Sequence, residues 1–109
     1  MSEQDQQNKI QEMQFLEQNL QNLMFQKQAF QMELSETQSA LEEVEKSNGE
    51  VFKVIGQMMI KTEKNKMNED LSNKKKLMDL RVSAIEKQET SLNEKLEKLR
   101  EEVLKSMKK

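Results

Sequence analysis

Two apolar stripes, each stepping alternately three and four residues, constrain this chain more than any other feature. The first runs through Met13, Leu16, Leu20, Leu23, Lys27, Phe30, Leu34, Thr37, Leu41 and Val44. The second runs through Leu71, Lys75, Met78, Val82, Ile85, Glu89, Leu92, Leu96, Leu99, Val103 and Ser106. Eight of ten positions in the first and eight of eleven in the second are apolar, with no proline to break either. That spacing is the coiled-coil period, so each stripe predicts a long helix with one narrow apolar seam. The expected helical arms cover about residues 8–46 and 65–106.

Such a seam needs a partner, because a helix of this composition has too little apolar surface to stand alone. The nearest partner is the other arm, folded back antiparallel. Charge favours the same arrangement. Residues 1–60 hold ten acidic and four basic side chains, whereas residues 61–109 hold ten acidic and fourteen basic. Lys27, Lys75 and Glu89 interrupt the seam, where they weaken packing or set register. The lysines can lay their methylene stems over it with the ammonium in water. Pairs four apart, Glu42 with Lys46, Glu94 with Lys98 and Glu101 with Lys105, are expected to brace the exposed faces.

Between the arms lies GEVFKVIGQMMIKT, which holds both glycines and the densest apolar patch of the chain. Ser47, Asn48 and Gly49 suit a helix stop. Val51–Ile55 and Met58–Ile60 read as strands, because β-branched residues disfavour helix. Gly56 and Gln57 between them fit a two-residue hairpin with glycine first, as in a type II′ turn. Ile55 then faces Met58, one side carries Val51, Lys53, Ile60 and Thr62, and the other carries Phe52, Val54, Met59 and Lys61. The helices can cover one side only. An isolated hairpin is marginal in water, and bare edges invite pairing. Hairpins from several chains are therefore expected to join into a shared sheet or barrel. Thr62, Asn65 and Asn68 are the candidate caps of the second helix.

The fold class expected is all-α dominated: a long antiparallel coiled-coil helical hairpin, with a central β-hairpin at about residues 50–61 that assembles into an intersubunit β-barrel. Residues 1–109 form a single domain on this reading. Ile10, Phe15, Met24, Phe25, Met32, Leu77, Leu80, Leu104 and Met107 fall off the stripes, and since a two-stranded coil buries one seam, some of them should face water or another partner.

Other functions find little support. The chain contains no cysteine and no histidine, which removes thiol chemistry, imidazole catalysis and ordinary zinc sites. No nucleotide-binding glycine loop is present, and carboxylates spread along helix faces lack a pocket. No catalytic residue, metal ligand or cofactor is expected. Lys74, Lys75 and Lys76, with Lys108 and Lys109, could touch phosphates, but no stacking aromatics or arginine forks accompany them. No nucleic acid partner is expected. Apolar runs do not exceed three residues, so no membrane span is expected. The first fifteen residues lack the features of a secretory signal, and an intracellular, cytoplasmic location is the default. Protein interaction remains, either as a passive structural or adaptor coiled coil or as a holder of apolar segments. Nine methionines, with their adaptable thioethers, favour the second.

The run Val51-Phe52-Lys53-Val54-Ile55-Gly56, followed by Met58-Met59-Ile60-Lys61 and set between two such arms, resembles the beta-type prefoldin family. The resemblance covers nearly the whole chain. It implies an ATP-independent molecular cochaperone, in which four beta-type subunits join two alpha-type subunits through their hairpins. The helical tips would capture unfolded client proteins and deliver them to a group II chaperonin. Carried onto this sequence, the oligomerisation residues would be Val51, Phe52, Val54, Ile55, Gly56, Met58, Met59 and Ile60. Client contacts would fall on Ile10, Met13, Phe15, Leu16, Leu99, Val103, Leu104 and Met107.

Overall fold

A computed structural model describes residues 2–108. Helix α1 spans Glu3–Lys46, strands β1 and β2 span Val51–Ile55 and Met58–Thr62, and helix α2 spans Lys64–Met107. The first helix begins earlier than residue 8 because Ser2 caps it. The Asp5 N–H donates to Ser2 Oγ at 3.1 Å, and the Ser2 N–H donates back to Asp5 Oδ2 at 3.4 Å. This reciprocal pair satisfies donors that a helix start leaves without partners.

The chain divides into two compact units, Ala29–Val82 and the combination of Met1–Gln28 with Ser83–Lys109. In the second of these the helices run antiparallel. Gln6 Nε2 donates to Ser106 Oγ at 2.6 Å, and Lys9 Nζ lies 2.6 Å from Glu102 Oε2. Lys27 Nζ lies 2.8 Å from Glu89 Oε1. Leu16, Ile85, Leu96 and Val103 are buried along this seam.

In the Ala29–Val82 unit, Leu41, Val44, Met78 and Val82 make the apolar core beside Thr37. Thr37 is buried without penalty because its hydroxyl donates to the Glu33 carbonyl at 2.8 Å. The Arg81 guanidinium lies 5.5 Å from the centre of the Phe30 ring and the Lys64 ammonium bonds the Glu45 carbonyl, so in this unit too the helices run antiparallel. All stripe positions in both helices are buried or half-buried. The nine apolar residues off the stripes are exposed.

Several expectations are corrected. The ion pairs along single helices are Lys66 with Asp70 and Arg100 with Glu97. The three predicted glutamate–lysine pairs are not among those formed by the described residues. The Lys27 ammonium meets a carboxylate and does not rest in water. None of the three candidate residues caps α2. Thr62 belongs to β2 and its hydroxyl donates to the Ile60 carbonyl, while the Met67 N–H closes the first helical turn on the Glu63 carbonyl at 3.0 Å.

Candidate functional site

The hairpin follows from its turn. Gly56 has φ of +61°, and no other described residue has a positive φ. Glycine reaches that region without the steric cost a Cβ imposes. Positive φ at the first central position alone is the type II′ pattern, whose twist matches that of the strands. The register pairs Ile55 with Met58, Val54 with Met59, Lys53 with Ile60, Phe52 with Lys61 and Val51 with Thr62. Side chains alternate across a strand, so Ile55, Met58 and Ile60 share one face while Phe52, Val54 and Met59 share the other.

Neither face is covered. Residues 52–61 are exposed throughout, and only Val51 and Thr62 at the root are half-buried. The helices therefore do not shield one side, contrary to the sequence expectation. Met59 is 68% exposed, Val54 66% and Met58 64%, in a two-stranded sheet with two open edges. Lys61 pairs with Glu50 at 2.7 Å on the surface, a contact of little energetic weight.

At the root of the hairpin the two helices are tied to each other by a residue that sequence reading passed over. Lys64 opens α2, yet its ammonium donates to the carbonyls of Glu45 at 3.0 Å and Ser47 at 2.9 Å. The Glu45 carbonyl lies in the last turn of α1 and Ser47 directly follows that helix, where the helix dipole is negative and a cation is favoured. Nearby, Gln38, Glu42, Glu45 and Lys75 help line an open groove of about 430 Å³. It is shallow and polar, without the enclosure that a small-molecule site requires.

The second set of predicted contacts divides by burial. Leu16 and Val103 are 7% exposed and hold the helices together, and Met13 and Leu99 are half-buried beside them. Ile10, Phe15, Leu104 and Met107 stand exposed, at 42%, 63%, 51% and 68%. The bonds from Gln6 to Ser106 and from Lys9 to Glu102 bring the outer turns of α1 and α2 alongside each other. Ile10, Leu104 and Met107 thus share one end of that helix pair. The Lys9 bond also holds the Glu102 carboxyl below its usual pKa. Among the described residues, no group of histidine, cysteine or carboxylate side chains could hold a metal ion. No helix there is long and apolar enough to cross a membrane.

Residues 7–109 match the family described as prefoldin subunit. The prefoldin subunit beta of Thermococcus onnurineus is 40% identical over 80% of this chain and 77% of its own length. The chain belongs to the prefoldin beta subunit family. The prefoldin subunit beta of Pyrococcus furiosus is 35% identical over 80% of this chain and 76% of that relative. The crystal structure of the prefoldin beta subunit from Thermococcus strain KS-1 superposes with a TM-score of 0.91 at 33% identity. It covers 96% of this chain and 94% of that one. The prefoldin beta2 subunit of the same strain, with a TM-score of 0.71 and 17% identity, shares the fold. Prefoldin subunits are chaperone components and not enzymes. Beta subunits of the family work with alpha subunits and chaperonins.

Proposed function

We propose that this chain is the beta-type subunit of an ATP-independent cochaperone hexamer, four beta-type with two alpha-type, that holds unfolded proteins for delivery to a group II chaperonin. The observation that carries the reading is a β-hairpin with two apolar faces and two edges, none of them covered by its own chain. Val51, Phe52, Val54, Ile55, Met58, Met59 and Ile60 would join those of neighbouring subunits in a common barrel, with Gly56 setting the turn. Pairing satisfies the free edge groups and removes apolar surface from water at roughly 25 cal/mol per Å².

Client contact falls to Ile10, Phe15, Leu104 and Met107, the exposed members of the predicted set. Met13, Leu16, Leu99 and Val103 support them from the seam. Each helix pair offers a small patch of weak affinity, and several patches on one assembly raise the effective concentration for the next contact. Weak single contacts also allow release without nucleotide hydrolysis.

The test is an I10S/F15S/L104S/M107S variant co-assembled with an alpha-type subunit. The expected result is an unchanged particle mass by light scattering with severalfold weaker suppression of aggregation of a chemically unfolded client. Full suppression by the assembled variant would leave a structural coiled coil as the better reading.

A further inference from the structure

The turn between α1 and β1 contains the single Asn-Gly step of the chain, Asn48 followed by Gly49. Both residues are exposed and lie outside helix and strand. The chain has eight asparagines, and the other seven, three in α1 and four in α2, are each followed by leucine, lysine or glutamate. A helix fixes φ and ψ, which keeps an asparagine carboxamide from closing on the next main-chain nitrogen. A long following side chain crowds that nitrogen as well. Asn48 has neither protection.

There is room around Gly49. A Cβ built on it would meet nothing within 4 Å, and its φ is not positive. The Gly49 N–H donates only to Ser47 Oγ, over a long 3.4 Å, a contact weak enough to give up. The Ser47 hydroxyl reaches the Gly49 carbonyl at 3.5 Å, so the side-chain bonds of this turn leave the Asn48 carboxamide unengaged.

We propose that Asn48 is a self-modification site, converted over time to aspartate and isoaspartate by its own main chain. The Gly49 nitrogen loses its proton to solvent base and attacks Asn48 Cγ. A C–N bond forms, the Cγ–Nδ2 bond breaks, and Nδ2 leaves as ammonia after taking up a proton. Water then opens the cyclic imide at one of its two carbonyls. Attack at Cγ restores the original main chain and gives aspartate. Attack at the main-chain carbonyl carbon routes the chain through Cβ and Cγ, giving isoaspartate. One water is consumed and one ammonia released, with no oxidant or cofactor needed. Either product adds one negative charge just past the end of α1, between exposed Glu45 and Glu50, where the helix dipole disfavours it. Isoaspartate also lengthens the chain by one atom directly after Ser47, whose carbonyl Lys64 holds. The site thus marks the age of a molecule at the root of its hairpin, outside both apolar faces.

The test keeps the purified chain for days in mildly alkaline buffer, alone and assembled with an alpha-type prefoldin subunit. Ion-exchange chromatography follows the added charge. Peptide mapping with electron-transfer fragmentation locates it and separates aspartate from isoaspartate. The expected result is conversion confined to Asn48 in both samples, faster as pH rises, with isoaspartate the larger product. G49A is expected to slow it about tenfold, because a Cβ hinders the attacking nitrogen. The helical spectrum should not change, since the added methyl has open space. N48Q should abolish the charge gain, because its longer side chain closes a ring far more slowly. Conversion spread over the helical asparagines, equal rates in parent and G49A, or an unmodified Asn48 in the folded chain overturns the proposal. Protection on assembly overturns it for the working particle.

Discussion

Lys27 Nζ and Glu89 Oε1 lie 2.8 Å apart, joining the single charged position of the first stripe to one of two in the second. The side chains retain 24% and 18% of their exposure. Removing one partner leaves the other partly desolvated without compensation, whereas replacing both by leucine makes the seam apolar at that level. K27L and E89L are each expected to lower the melting temperature, and K27L/E89L to match or exceed the parent. Circular dichroism melts decide this, with crosslinking of the double variant showing whether slipped pairings then appear, since a seam polar pair fixes register.

Protonation reaches the same helix pair from both ends of the pH scale. Glu102 is held below its ordinary 4.5 chiefly by the hydrogen bond from Lys9. A depressed folded pKa contributes stability that is complete above the unfolded value and fades as pH falls through the folded one. Lys27 is held above its ordinary 10.5 chiefly by its bond to Glu89, so its contribution is complete below 10.5 and fades as pH rises through the higher folded value. The difference in melting temperature between parent and E102Q should narrow as pH falls through the folded Glu102 pKa, and that between parent and K27M as pH rises through the folded Lys27 pKa. A pH-independent difference in either pair would show that the charge does not act through the named bond.

Gly56 has open space where a Cβ would be placed, so substitution there meets no neighbour and costs only backbone strain. With φ at +61°, G56A is expected to destabilise the hairpin by about 1–2 kcal/mol, while leaving helix content intact. The corresponding change in Gln57, Q57A, should cost little. Oligomer dissociation in urea compares the two, and equal midpoints would contradict the turn assignment.

Phe52 and Ile55 occupy opposite faces of the hairpin and both are exposed in the single chain. F52D/I55D should abolish particle formation by light scattering with an alpha-type subunit present, yet retain the helical spectrum. An intact particle would remove the hairpin from the assembly.

The helices and the hairpin register were legible because both rest on periodicity, three-and-four in the arms and two in the strands. The pattern implied surface positions for some of the off-stripe residues, and all nine are exposed, since a narrow seam leaves them nowhere else to go. Reading net charge by halves was less informative. The acidic first arm supplies the lysines, Lys9 and Lys27, and the basic second arm supplies the glutamates of both interhelical pairs. Register selects the minority charges, which no total reveals. Burial of Leu16 and Val103 followed directly from their stripe positions, yet they were grouped with the client contacts on nearness to the chain ends. Ser2 and Lys64 were missed for different reasons. Aspartate takes the place of the usual glutamate in the first cap, and a lysine opening one helix gives no local sign that it serves the end of another.

That lysine has a mechanical consequence. Because Lys64 clasps the last turn of α1 from the first residue of α2, the chain leaves and re-enters the helices through a closed collar rather than two loose strands. A pull or twist applied to the sheet is then shared by both helices at once, so the joint behaves as a stiff socket instead of a swivel.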